Sequence, residues 1–177
     1  MKKEIKYTIL FVGALFLRLI PIPFRAPNIE PIMAIQMPIA KKYGALGAFF
    51  FGFASIVIYD SLTSGLGIWT FITAVAYGFV GLGARRFFKA KSSRGRYVSF
   101  AIMATIAYDA LTGLTLGPLF FGQTFVGALM GQIPFTALHL LGNVSFAFLL
   151  SPVIEKWIIK TESKKVLLLK TNLIYEK

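Results

Sequence analysis

Long apolar stretches alternate with short polar connections along most of the chain. Five stretches contain no Asp, Glu, Lys or Arg: residues 7–17, 45–59, 68–84, 97–108 and 135–150. A helix needs about 20 apolar residues to cross a hydrocarbon core, so blocks near this length indicate membrane spans rather than helices of a soluble domain. The pattern predicts an all-α integral membrane protein, with a single transmembrane domain at residues 1–158 and a basic cytoplasmic tail at 159–177.

The blocks predict a compact bundle of about six transmembrane helices. Five predicted spans cover residues 7–20, 44–62, 66–84, 98–114 and 134–154. Residues 29–40 would reach only ~18 Å of a ~30 Å core and contain Glu30, Pro31, Gln36 and Pro38, which predicts a short, broken second helix inside the bundle. Residues 116–132 are expected to form a re-entrant or capping outer loop before the last helix, which starts at Pro134.

Composition agrees with a membrane protein, since 56% of the 177 residues are hydrophobic and 15% are charged. Soluble domains carry about 25% charged residues. The net charge of +12 does not indicate nucleic-acid binding, because every basic residue except Arg18 and Arg25 lies before the first block, at 41–42, at 85–96 or after 155. This positive-inside pattern predicts a multi-pass protein of the cell membrane with both termini in the cytoplasm.

Two predicted spans end in nearly the same sequence. Tyr59 and Asp60 open the segment YDSLTSGL, and Tyr108 and Asp109 open the segment YDALTGL. Both spans run outward, so both aspartates are expected at the outer mouth of the bundle. Two interpretations remain open: the aspartates are hydrated among lipid headgroups, or they line a cavity and pair with an arginine or with a substrate.

Other polar residues are expected at the same level. His139 and Asn143 lie four residues apart and therefore share one helix face, where they bind a ligand or bond across the bundle as packing contacts. The chain has no cysteine and one histidine, and it contains no catalytic or metal-ligating spacing, so we predict neither an enzyme nor a metal or other cofactor. The predicted substrate-binding residues are Arg18, Asn28, Glu30, Tyr59, Asp60, Trp69, Tyr108, Asp109, Gln132, His139 and Asn143.

Three of these features together resemble the S components, the substrate-capture subunits, of energy-coupling factor (ECF) transporters. They are the segment PNIEPIMA at 27–34, the Tyr-Asp pair at 108–109, and the residues from Ile133 to Asn143 that open the last span. The resemblance covers residues 10–155. It implies a six-helix bundle that holds a vitamin or another small micronutrient near the outer face, and it implies three partner chains, namely a membrane coupling subunit and two ATPases.

One departure concerns the docking surface. Many members of that family carry two alanines four residues apart on the first helix, whereas this chain has Gly13 and Ala14 there, followed by Leu17 and Arg18. Docking is then expected on another surface, such as Ala48 and Gly52.

Two alternative functions stay open: a membrane scaffold of the cell-envelope machinery, of the rod-shape-determining kind, and a small secondary transporter. The substrate itself does not follow from the resemblance, although acidic and aromatic residues at one mouth suit a cationic or amine-bearing heterocycle.

The charge pattern generates a prediction about topology. A cysteine introduced as Ser93→Cys lies in the basic connection at 85–96, which we place in the cytoplasm. In intact cells, a membrane-impermeant thiol reagent should leave this cysteine unlabelled until the membrane is permeabilised. The parent chain contains no cysteine and serves as the blank. Strong labelling from outside would show that the orientation is reversed.

Overall fold

The computed structural model describes residues 2–20 and 28–175, with side chains as far as Ile158. This part of the chain is all helical and contains five helices: α1 (Lys3–Leu19), α2 (Ile32–Leu62), α3 (Ile68–Phe87), α4 (Arg94–Phe120) and α5 (Phe125–Tyr175). Helices α2 to α5 are long and apolar enough to cross a membrane. Arg25 and the side chains of the basic tail lie outside the described residues.

Helix α2 folds back on itself at Gly44. This residue has φ +86° and ψ −175°, a conformation that favours glycine because it has no Cβ. The side-chain amide of Gln36 donates to the carbonyl of Ala48 at 2.9 Å, although these residues would lie ~18 Å apart along a continuous helix. The two halves of α2, residues 32–43 and 45–62, are therefore separate arms, and the second matches the span expected at 44–62.

The first arm of α2 is the centre of the core. Residues 32–40 are all buried, as predicted for a segment packed inside the bundle. The predicted break is wrong, because the helix continues through Pro38. A proline in a helix leaves the carbonyl four residues earlier without its donor, and here the carbonyl of Ala34 accepts from the Ser151 hydroxyl at 2.7 Å. Helix α5 thus supplies the bond that Pro38 removes.

Helix α1 packs on this core through one narrow face. Lys6, Leu10 and Ala14 are its buried residues, and their spacing of four places them on a single stripe. At 17 residues α1 is shorter than the other four helices, so the described residues contain four long apolar helices where six spans were expected. The difference arises from the short α1 and from the short first arm of α2.

The connection between α4 and α5 differs from the prediction. Helix α4 continues to Phe120 and α5 begins at Phe125, so residues 116–132 extend these two helices and form no re-entrant segment. The chain reverses at Gly122, with φ +65°, and the Thr124 hydroxyl accepts from the backbone N–H of Gly127 at 3.1 Å. The last helix starts at this threonine cap, and Pro134 lies inside it.

Charged groups mark the two ends of the bundle. At one end, called the basic end, the Lys41 ammonium lies 2.5 Å from a carboxylate oxygen of Glu155, and Arg85 donates to the carbonyl of Lys41 at 2.9 Å. The connection predicted at 85–96 also lies there, although only residues 88–93 fall between helices. Arg18 and Asp60 lie at the opposite end, near the ends of α1 and α2.

Small residues join the second arm of α2 to α3. Ala48 is fully buried, and a Cβ on Gly52 would come within 2.8 Å of the Tyr77 carbonyl oxygen. The suggestion that Ala48 and Gly52 form a docking surface for a partner is therefore wrong, because α3 already covers them. A small residue is required there for the close approach of the two helices.

This close approach predicts a difference between two glycine variants. Gly52→Ala should lower the free energy of unfolding by about 1–3 kcal/mol, because the added methyl group meets a backbone carbonyl that cannot easily move. Gly13→Ala is the matched control, since a Cβ there has no atom within 4 Å. It should leave stability unchanged or raise it by up to about 1 kcal/mol. Thermal unfolding in detergent measures both, and equal destabilisation by the two would contradict the packing.

Candidate functional site

The candidate site contains an ion pair between α1 and the segment before α2. The Arg18 guanidinium nitrogen Nε lies 2.9 Å from a carboxylate oxygen of Glu30, and both side chains are largely buried. The guanidinium also lies over the Tyr59 ring, 4.0 Å from its centroid, which is a cation–π contact. Arg18 thus pairs with Glu30, whereas the sequence left open a pairing with the two aspartates.

Close backbone packing fixes the position of Glu30. Asn28 adopts φ +62°, and a Cβ on Gly142 of α5 would come within 2.9 Å of the Ile29 Cα. The segment before α2 therefore lies directly against α5, where only glycine leaves room for it. This contact brings Glu30 to the α3 and α5 side chains described next.

Tyr77 of α3 connects Glu30 to α5. Its hydroxyl donates to the Glu30 carboxylate at 3.3 Å and lies 3.4 Å from Nε2 of His139. On the other side of the imidazole ring, Nδ1 of His139 lies 2.8 Å from Oδ1 of Asp109 in α4. Tyr77, Asp109 and His139 are all buried. These contacts form one continuous chain of polar side chains, which we call the polar cluster: Arg18, Glu30, Tyr77, His139 and Asp109.

Aromatic rings surround the imidazole. The Tyr108 ring lies 4.6 Å from the Tyr77 ring and 5.9 Å from the His139 ring, and the Phe135 ring lies 5.8 Å from His139. All three contacts are edge-on, the geometry that aromatic quadrupoles favour. The polar cluster therefore has an aromatic wall on its α4 and α5 side.

A second polar contact joins α4 and α5 one turn away. The Asn143 amide donates to the Thr105 hydroxyl at 2.9 Å, and that hydroxyl lies 3.7 Å from the Met33 sulfur. The prediction that His139 and Asn143 share one face is confirmed, because both contact α4. Within the described residues, Oδ2 of Asp109 and Oδ1 of Asn143 are buried and accept no hydrogen bond. Buried acceptors without donors are rare in folded proteins, and each one calls for an explanation.

The two Tyr-Asp motifs have different surroundings. Asp60 lies two residues before the end of α2 and accepts from the Thr70 hydroxyl at 2.8 Å, so it joins α2 to α3. Asp109 lies eleven residues before the end of α4 and bonds to His139. The expectation that both spans close at these motifs is therefore wrong for Asp109, which belongs to the interior of its helix.

The remaining predicted residues lie apart from the polar cluster. Trp69 is exposed and packs 6.4 Å from the Phe121 ring, and Gln132 donates to Thr136 at 3.1 Å. Sequence reasoning missed Tyr77 and Thr105. Thr105 precedes Asp109 by four residues, the same spacing as that of His139 and Asn143. This equal spacing could have predicted that the two residues on α4 face the two on α5.

Two cavities in the described part of the chain lie outside the polar cluster. One of about 680 Å³ lies between α3 and α4, and one of about 720 Å³ lies along α1. Tyr108 lines the first, whereas Glu30, Asp109 and His139 line neither. In the described part of the chain, no group of three or more His, Cys, Asp or Glu side chains could hold a metal ion.

Comparison with known proteins gives no relative for this chain. No protein-family model, no curated protein and no solved structure matches it.

Proposed function

We propose that this protein is the substrate-capture subunit of an ECF-type importer, which binds a vitamin or another small micronutrient at the outer face of the cell membrane. The polar cluster is the observation that supports this proposal most directly. It gathers charged and aromatic side chains from α1, α3, α4 and α5 and from the segment before α2. Ionisable residues inside a membrane bundle are costly, so a cluster of them favours a binding role.

The proposed topology counts the arms of α2 as two crossings and includes α1, which gives six. The positive-inside rule then assigns the basic end to the cytoplasm, together with both termini. Under this assignment the Arg18–Glu30 pair faces outward, and the polar cluster lies in the outer half of the bundle.

The unpaired acceptor in the polar cluster suggests that the ligand carries a hydrogen-bond donor. Oδ2 of Asp109 needs a donor, and the Tyr108 and Phe135 rings lie edge-on to the His139 ring, which bonds to Oδ1 of the same carboxylate. A heterocycle that carries an amine or another N–H donor would bond to Oδ2 and bring its ring among these aromatic side chains. An N–H donor to an ionised carboxylate gives a charge-assisted hydrogen bond, which is stronger than a neutral one.

Energy for uptake is assigned to partner chains. The sequence has no nucleotide-binding loop, so the proposal includes a membrane coupling subunit and two ATPases. Because α3 covers Ala48 and Gly52, the coupling subunit would have to dock on a surface that does not include them.

A small secondary transporter is the second candidate, and one observation favours it. Four titratable side chains form a continuous row in space, in which each contacts the next at 3.4 Å or less: Glu30, Tyr77, His139 and Asp109. Chains of acidic residues and histidine carry protons in membrane pumps and transporters. A structural scaffold has less support, since packing alone does not require a buried ionisable chain.

The proposal predicts the effect of removing each aspartate charge. Asp109→Asn should weaken binding of the small molecule that copurifies with the protein by about tenfold to a hundredfold, because a charged hydrogen bond contributes ~1.5–3 kcal/mol. Asp60→Asn is also expected to weaken binding, although its carboxylate already accepts from Thr70. Mass spectrometry identifies the ligand and calorimetry measures its affinity. If both folded variants bind like the parent, the aspartates have no part in ligand binding.

The two candidates differ in their energy source. Purified protein in proteoliposomes should bind the ligand without concentrating it, and accumulation should require the ATP-hydrolysing partner complex. Imposed proton and sodium gradients test this directly. Asp109→Asn, which should bind the ligand more weakly, serves as the control for ligand that the liposomes retain by binding alone. Gradient-driven accumulation by this chain alone would overturn the importer proposal and would establish a secondary transporter.

A further inference from the structure

A groove between α3 and α4 opens on the apolar surface of the bundle. Its volume of about 680 Å³ falls within the ~300–1,000 Å³ range of ligand-binding pockets. Arg86 and Arg96 line the groove at the basic end of the bundle, and Tyr108 and Leu111 line it farther along α4. We propose that this groove binds one anionic phospholipid, with the phosphate at the two arginines and an acyl chain along α4. The proposal depends on the membrane location of the helices but not on ligand capture.

Small residues create the space for an acyl chain. Ala76 and Gly83 of α3 and Ala104 and Ala107 of α4 line the groove, and a Cβ on Gly83 would make only ordinary contact with Phe100 at 3.9 Å. Arg96 and Leu111 are fifteen positions apart, which corresponds to about 22 Å of helix and exceeds the ~15 Å half-thickness of a hydrocarbon core. An acyl chain that starts at the arginines therefore fits along this length.

The two arginines have donors available for a phosphate. Arg86 is exposed and makes no hydrogen bond or ion pair with the described residues. Arg96 lies 4.4 Å from the Phe87 ring centroid and donates one terminal N–H group to the Phe87 carbonyl, while its Nε atom is buried. The donors that Arg96 keeps for a phosphate are therefore its other terminal N–H groups. The Phe87 contacts hold the Arg96 guanidinium at the mouth of the groove. Guanidinium groups suit phosphate because their fork of donors matches its oxygens.

Charge distinguishes this groove from the cavity along α1. The α1 cavity is of similar size, about 720 Å³, but Glu4 and Thr8 line it and no basic residue does. A carboxylate would repel a lipid phosphate, whereas Arg86 and Arg96 attract it. Basic pockets between transmembrane helices on the cytoplasmic side are known sites for anionic headgroups. The comparison favours an anionic lipid in the α3–α4 groove alone.

Native mass spectrometry of the full chain in detergent tests this proposal. The probes are dioleoylphosphatidylglycerol, which is anionic, and dioleoylphosphatidylcholine, which is zwitterionic. The parent protein should retain the anionic lipid preferentially. Arg86→Gln should weaken that retention about fivefold, the fold-change that corresponds to ~1 kcal/mol per basic residue at an anionic headgroup. Arg94→Gln is the matched control, because Arg94 is exposed at the same end of the bundle but does not line the groove.

A second pair of variants tests the acyl-chain path without changing charge. Ala107→Leu fills the groove and should reduce retention of both lipids, whereas Ala110→Leu, on the exposed surface outside the groove, should not. Equal retention of the two lipids by the parent, equal losses for Arg86→Gln and Arg94→Gln, or equal behaviour of the two leucine variants would each overturn the proposal. So would full competition by inorganic phosphate.

Discussion

A carboxylate inside a membrane bundle is stable only where the protein supplies the donors that water would have given, and Glu30 shows how this requirement organises the structure. Arg18 and Tyr77 reach it from α1 and α3, and Tyr77 in turn contacts His139, which contacts Asp109. Removing one partner of such a buried pair is costly, although well-packed apolar side chains could hold the same helices together. Stability alone therefore does not explain the polar cluster, which is why we propose that it binds a ligand.

Much of the helical architecture could be predicted from hydrophobic blocks, because a helix that crosses a membrane satisfies its own backbone and must be apolar along its length. The boundaries were less predictable, and prolines account for two of the errors. Pro38 and Pro134 were interpreted as a break and a start, yet both lie inside helices. Whether a proline ends a helix depends on a tertiary contact, and the Ser151 hydroxyl that bonds to Ala34 lies more than a hundred residues away in the chain.

The part of the candidate site that could be predicted is the part that depends on the four-residue spacing of polar side chains along a helix. His139 and Asn143 were expected on one face, and they meet Asp109 and Thr105, which have the same spacing on α4. The similarity of the two Tyr-Asp motifs led to a wrong helix end at Asp109, because a repeated motif does not determine how far its helix continues. Tyr77 was missed for a different reason: it lies within an apolar block, and only the packing of α3 reveals what its hydroxyl contacts.

The carboxylates at the two ends of the bundle have different hydrogen-bond partners, and this contrast is the main support for our proposal that a ligand binds at the polar cluster. At the basic end, Oε1 of Glu155 accepts from Lys41 and Ser92, each at 2.5 Å, and Oε2 accepts from Tyr97 at 2.8 Å, so both oxygens are bonded within the chain. Asp109 is more deeply buried, yet only one of its two oxygens has a partner among the described residues. A fully bonded carboxylate joins helices and leaves nothing for a ligand. Asp109 keeps one oxygen as a free acceptor, next to a histidine that two aromatic rings contact, and the proposed ligand would complete it with an N–H donor.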